Sequence, residues 1–209
     1  MQTLEANAQK PPLTLDRRIE KICFDLAGLD PGPLAELRRM DSTSASYGAP
    51  FFWRLCARYE LGRGQSFEQT WAQIIQALAI LTPKGRDEHK CSRHAKQFGL
   101  GRVLCDGADP GWPNDKTNPK SVYSEARFAQ LLGSSGETRI DLVLRTARFL
   151  AARLPPDAAF DCTDIARLLL YPDDPGVGRK LARDYYTRLD GARRTDADDN
   201  TDNATRETA

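Results

Sequence analysis

The stretch YSEARFAQLLGSSGETRIDLVLRTARFLAAR, residues 123–153, reads as two helices joined by a Gly/Ser turn, and that reading decides the fold. In the second helix Ile140, Val143, Leu144, Ala147, Leu150, Ala151 and Leu154 recur at the three- and four-residue steps of one α-helical face. Thr138 with Asp141 predicts a capping-box start there. Leu142 and Phe149, one heptad apart, make a second apolar side, while Arg145 and Arg148 fall together on a basic flank. Such a helix must be packed from two directions and still show arginines to water.

Composition bounds what this helix belongs to. With 209 residues, 40% of them hydrophobic and 28% charged, the chain is of ordinary globular make-up, with room for one large or two small cores. No run approaches the roughly 20 apolar residues of a membrane span, and the start MQTLEANAQKPPL has no signal-peptide pattern. The expectation is a cytoplasmic protein with no membrane partner. Cys23, Cys56, Cys91, Cys105 and Cys162 are odd in number and scattered, which fits reduced thiols better than a disulfide framework. The net charge is +1, but from Thr195 onward Asp196, Asp198, Asp199, Asp202 and Glu207 face Arg206 alone, so the preceding part is more basic than the total.

Taken in order, residues 1–12 form a polar leader expected to be flexible. Thr14 caps a helix with Leu15, Ile19, Ile22 and Leu26 on one face, ending at Gly28. Pro33 lies in the first turn of the next helix, with Leu34 and Leu37 buried and Arg38 and Arg39 at its exposed end. Phe52, Leu55, Cys56 and Tyr59 repeat at helical spacing, with Phe51 and Trp53 as further apolar bulk. Ser66 and Gln69 suggest a capping box for a helix with Phe67, Trp71, Ile74, Ile75, Leu78 and Leu81 inward, stopped at Thr82 and Pro83. Residues 84–96 read as an exposed basic loop, and Phe98, Leu100, Val103 and Leu104 as a short helix ending near Gly107. Residues 106–120 are rich in Pro, Gly, Asn and Asp and mark the best internal boundary. Beyond the opening pair, Asp161 or Thr163 starts a helix burying Ile165, Leu168 and Leu169. Asp174 and Pro175 start a last one, with Val177, Leu181, Tyr185 and Leu189 inward and Gly191 closing it. No β pattern stands out. The expected fold is all-α: an N-terminal helical lobe (13–105), a linker or insert (106–120), a C-terminal helical bundle (121–191) and a disordered acidic tail (192–209).

The search for catalytic chemistry is negative. There is no P-loop, G-x-G-x-x-G after a strand, G-x-S-x-G, H-E-x-x-H or paired C-x-x-C. His89, Cys91 and His94 are close enough in sequence to share an ion, with Cys105 as a further ligand, but they match no standard zinc spacing. The preferred reading is polar residues of a basic loop, with no metal, no cofactor and no enzyme activity.

Arginine placement is the positive signal. Arg38, Arg39, Arg102, Arg127, Arg145, Arg148, Arg179 and Arg183 sit on or beside apolar helices, alongside Lys90, Arg93 and Lys96 of the basic loop. Any single arginine is as well explained by solvating a helix face. Several together make a surface for nucleic-acid backbone, since guanidinium forks pair with phosphates and release counterions. Such contacts position nucleic acid without reading its sequence. The aromatic residues keep core spacing and do not interleave with the basic set as on a base-stacking platform.

In order, LAELRR (34–39), FFWRL (51–55), LGRVL (100–104), YSEARFAQLL (123–132), LRTARFL (144–150), IARLLLY (165–171) and VGRKLARDYY (177–186) resemble the CasB family, the small subunit of type I-E CRISPR Cascade complexes. The resemblance spans about Leu34 to Leu189 and lies in the order and spacing of the blocks. It implies an all-helical, non-catalytic subunit present in two copies, contacting the backbone subunits and the large subunit, and helping to hold crRNA, target strand and displaced strand. It also implies that Arg39, Arg127, Arg145 and the segment 84–102 lie toward nucleic acid. The segment 106–120 and the tail after Arg194 have no evident counterpart in the family pattern, and Tyr171 stands where an aromatic pair is often found. The alternative is a helical adaptor that bridges protein subunits without touching nucleic acid, with Leu142 and Phe149 as its interface. A free-standing DNA-binding regulator is disfavoured, because no recognition helix stands out.

Overall fold

The computed structural model describes residues 13–41, 49–62, 64–83, 92–115 and 118–206, with side chains described as far as Arg194. Thr14 begins the first element as the sequence implies: its Oγ1 accepts from the Arg17 amide, and α1 (Leu15–Ala27) buries Ile19, Ile22, Cys23 and Leu26. There follow α2 (Pro31–Arg39), α3 (Pro50–Tyr59), α4 (Gln65–Leu81), α5 (Leu100–Asp106), α6 (Glu125–Gly133), α7 (Gly136–Arg153), α8 (Thr163–Leu170) and α9 (Pro175–Arg206). Among the described residues there is no strand, only an isolated bridge between His94 and Phe160, and no helix is long and apolar enough to cross a membrane. The fold is all-α.

α4 is the central helix. From Trp71 to Leu81 every residue on it is buried, because α2, α7, α1 and α8 surround it. α7 lies along it, which answers the two apolar faces in its sequence: Val143, Leu144, Ala147 and Leu150 are buried, and so is Leu142. Phe149 is half-buried, edge-on to Tyr123 at 5.2 Å with the Arg153 guanidinium over its ring. Arg145 and Arg148 remain exposed.

The second close packing is α5 on α9. Gly101 allows it: a Cβ there would press into the carbonyl oxygen of Leu181 and stand 3.0 Å from Asp184 Cβ. Asp164, 1% exposed, locks this corner by accepting from the Leu100 amide and the Lys180 ammonium, so one carboxylate ties α5, α8 and α9. Asp106, 2% exposed, similarly takes Arg188 of α9 and Arg102 of its own helix. Tyr185 stacks on Phe128 at 4.1 Å and donates to the Tyr123 carbonyl, seating α9 on α6.

The connection between α5 and α6 is folded onto the core. Its end pairs the Val122 and Tyr123 amides with the carbonyls of Cys105 and Leu104, and Trp112 is buried with its indole N–H on the Lys120 carbonyl. Buried residues on both sides of 106–120 form one continuous apolar cluster.

Several expectations are corrected. α7 starts at Gly136 with Ser135 preceding it, not at Thr138, because the chain turns through Gly136 at φ +53°. α4 starts at Gln65 after Gly64, ahead of the expected Ser66 cap, and neither helix start has a side-chain cap hydrogen bond. Phe67 is 58% exposed, since the first turn of α4 extends beyond the helices that cover Trp71 onward. α9 does not stop at Gly191 but continues to Arg206, because Gly191 is not in the left-handed conformation that ends helices. The stretch 192–206, expected to be disordered, is therefore helical here. The leader 1–12 lies outside the described residues.

Candidate nucleic-acid interface

The end of α4 sets the site. The last carbonyls of a helix have no intrahelical partner and carry partial negative charge, so cations gather there. Two arginines do so at α4. Arg38, at the end of α2, donates from Nε to the Ala79 carbonyl at 2.8 Å and from Nη2 to the Thr82 carbonyl at 2.7 Å. Arg93 donates from Nε to the Leu81 carbonyl at 3.2 Å, and from Nη1 to the carbonyls of Pro155 and Ala158 in the turn after α7. Arg93 is 5% exposed. The expectation that it lies exposed in a loop is thus corrected: it clamps the ends of α4 and α7 together.

Between those ends lies a cleft of about 520 Å³. Arg38, Arg93 and Arg148 stand on its wall, and Ile80, Ala151 and Ala152 line its apolar side. Among the described residues no carboxylate lines it, whereas a second surface cleft has Glu20 and Asp25 and a third has Asp173 and Asp174. Burial lowers the pKa of Arg38, though an arginine stays charged at neutral pH. Arg148 is the exposed guanidinium of the set.

The other expected contacts are not gathered there. Arg145, one turn back on the same flank, is exposed with only a distant partner, Asp141 at 3.8 Å. Arg39 is exposed and donates to the Ala35 carbonyl of its own helix. Arg127 on α6, Arg183 on α9 and Lys96 are exposed; Arg179 is exposed and donates to the Pro175 carbonyl. Arg102 is already committed, to Asp106 at 3.3 Å and over the Phe98 ring at 4.2 Å. Lys90 lies outside the described residues, as do His89 and Cys91, and the connection 84–91 joins Pro83 on the cleft wall to the residue before Arg93. The sequence reading missed the apolar side of the cleft, because α4 and α7 are far apart in the chain and nothing local signals that their ends meet.

Among the described residues, which include His94 but not His89 or Cys91, no three His, Cys, Asp or Glu are placed to hold an ion. The His94 side chain is 3% exposed, 3.8 Å from Asp161, and neither ring nitrogen has a hydrogen-bond partner. Burial lowers its pKa, against the opposing pull of Asp161, Glu20 and Asp16 and with the help of Lys96. A histidine with a depressed folded pKa contributes stability that is present above the unfolded value of about 6.5 and is lost as pH falls below it toward the folded value. Chemical denaturation between pH 7.5 and 5 is expected to show this loss, bounded by about 1.4 kcal/mol per pH unit. H94L is expected to flatten that part of the profile; an unaltered slope in H94L contradicts this assignment.

With the helices and the cleft in place, the comparisons with known proteins fall into line. The sequence profile of the CRISPR-associated protein Cse2 family matches residues 33–186, and the chain belongs to that family, of which CasB is another name. The acidic end of α9 lies outside the matched range. A chain of the crystal structure of E. coli Cascade bound to a PAM-containing dsDNA target is similar in fold, with a TM-score of 0.56 and 18% identity over 82% of this chain and 96% of that one. No protein of curated function matches the sequence.

Proposed function

We propose that this protein is the non-catalytic small subunit of a type I-E Cascade complex, where it holds the sugar-phosphate backbone of crRNA, target strand and displaced strand and so stabilises opened target DNA. Membership of the Cse2 family and the likeness to a Cascade chain support the assembly. The observation that carries the nucleic-acid role is the arginine-lined cleft at the ends of α4 and α7, with Arg38 and Arg148 on its wall and no carboxylate among its described lining residues. Arg39, Arg127, Arg145, Arg179, Arg183 and Lys96, though not gathered at the cleft, are exposed and open to phosphate contact. Positive charge of this kind holds phosphates irrespective of base identity, and sequence choice rests with guide pairing. Its partners are the backbone subunits, the large subunit and a second copy of this chain.

The adaptor reading places its interface at Leu142 and Phe149. Leu142 is buried within the fold and Phe149 is packed under Tyr123 and Arg153, so that surface is already used.

The test compares the guide-loaded complex assembled with and without this chain. Permanganate reactivity of displaced-strand thymines is expected to decay faster without it, with DNA dissociating roughly tenfold sooner. Equal lifetimes of the opened state contradict the proposal. Divalent metal and oligonucleotide added to the chain alone are expected to yield no cleavage.

A further inference from the structure

Building on the nucleic-acid role, we propose that the cleft between α4 and α7 receives one unpaired nucleotide, its phosphate on Arg38 and Arg148 and its base against the apolar side. Three properties of the cleft favour this occupant over a plain phosphate track. Its volume, about 520 Å³, is far more than a phosphate group needs and falls in the range of pockets that enclose small organic ligands. Its lining is mixed: the guanidinium groups of Arg38, Arg93 and Arg148 are joined by aliphatic surface from Ile80, Ala151 and Ala152, the two alanines one turn along α7 from Arg148. The charged side chains that line it among the described residues are all arginines, which suits a phosphodiester and disfavours an acidic-and-basic protein segment.

The donors are in place. A guanidinium carries five N–H groups, and the bonds to Ala79 and Thr82 use two on Arg38 while fixing its orientation. Arg38 therefore reaches the cleft as a pre-oriented fork, while Arg148, exposed on α7, supplies a mobile one. A duplex cannot use the apolar side, since its bases are stacked and paired behind the backbone. A separated strand can turn a base inward. The cleft thus distinguishes single from double strands by shape, with no aromatic platform.

The test measures binding of the full chain at low salt to two labelled strands of equal length, an oligothymidylate and a fully abasic deoxyribose-phosphate chain. The thymidylate is expected to bind roughly tenfold more tightly, the effect of removing part of a base from water. A152L, which fills the apolar side from an exposed helix position, is expected to reduce thymidylate binding to the abasic level. Equal binding of both strands by the wild-type chain, or a base preference that persists in A152L, overturns the inference. R148E separates this from the underlying reading. If R148E weakens both strands while the wild type shows no base preference, the backbone role stands and the nucleotide site falls. If the wild type binds neither strand, or R148E leaves both unchanged, both fall.

Discussion

Gly101→Ala is expected to destabilise the protein by about 3 kcal/mol and to lower its melting temperature by roughly 10 °C. The added methyl group meets the backbone of α9 at Leu181, and a carbonyl oxygen cannot swing aside as a side chain can. Relief requires α5 and α9 to separate, which loosens Asp106 from Arg188 and Asp164 from Lys180. Gly178→Ala, one turn into the exposed start of α9 with no atom near its added Cβ, is the matched control and is expected to be neutral or slightly stabilising. Thermal unfolding of both variants checks this, and equal melting temperatures contradict the close packing of α5 on α9.

Arg93→Met has an effect of similar size for a different reason. It removes the Arg93 donors from the carbonyls of Leu81, Pro155 and Ala158, of which Pro155 keeps the Ala158 amide, and this is expected to cost about 3 kcal/mol. Arg93→Lys is expected to recover only part of this, since a compact ammonium cannot span acceptors on both sides of the α4–α7 junction. Because Arg93 also joins the two helix ends that form the cleft, nucleic-acid binding by R93M should fall even at temperatures where the variant is folded. Unfolding curves and strand affinities measured on the same samples separate the two effects. Full stability in R93M contradicts the clamp.

Much of this architecture could be read from residues alone. Thr14 with Leu15, Ile19, Ile22 and Leu26 defined α1, and Asp174 with Pro175 defined the start of α9, whose Gly176 amide does bond to Asp174 at 2.7 Å. The two apolar sides of α7 announced a helix covered by neighbours on both flanks. Local signals suffice in such cases because cap and periodicity act within a few turns. Arg93 was misread for the opposite reason: its acceptors are at residues 81, 155 and 158, and only tertiary packing brings them to a residue set in a polar stretch. Phe67 kept the spacing of Trp71 and Ile74, yet spacing does not say where covering helices end. The arginine set was legible as composition, but its partition into cleft wall, clamp and ion pair was not. Arg38, Arg93 and Arg102 each found acceptors that no sequence pattern exposes.

The central claim is that the arginines at the α4–α7 cleft hold phosphates in the assembled complex. The salt dependence of DNA binding by guide-loaded complex tests it most directly, comparing wild type with Arg148→Ala. The account predicts weaker binding at every salt concentration and a log–log slope shallower by about 0.7 to 0.9 for each phosphate that a copy of the chain no longer neutralises. Arg17→Ala, on α1 and paired with Glu20 at 2.8 Å, should leave both quantities as they are. Wild-type affinity and an unchanged slope in Arg148→Ala would contradict the account.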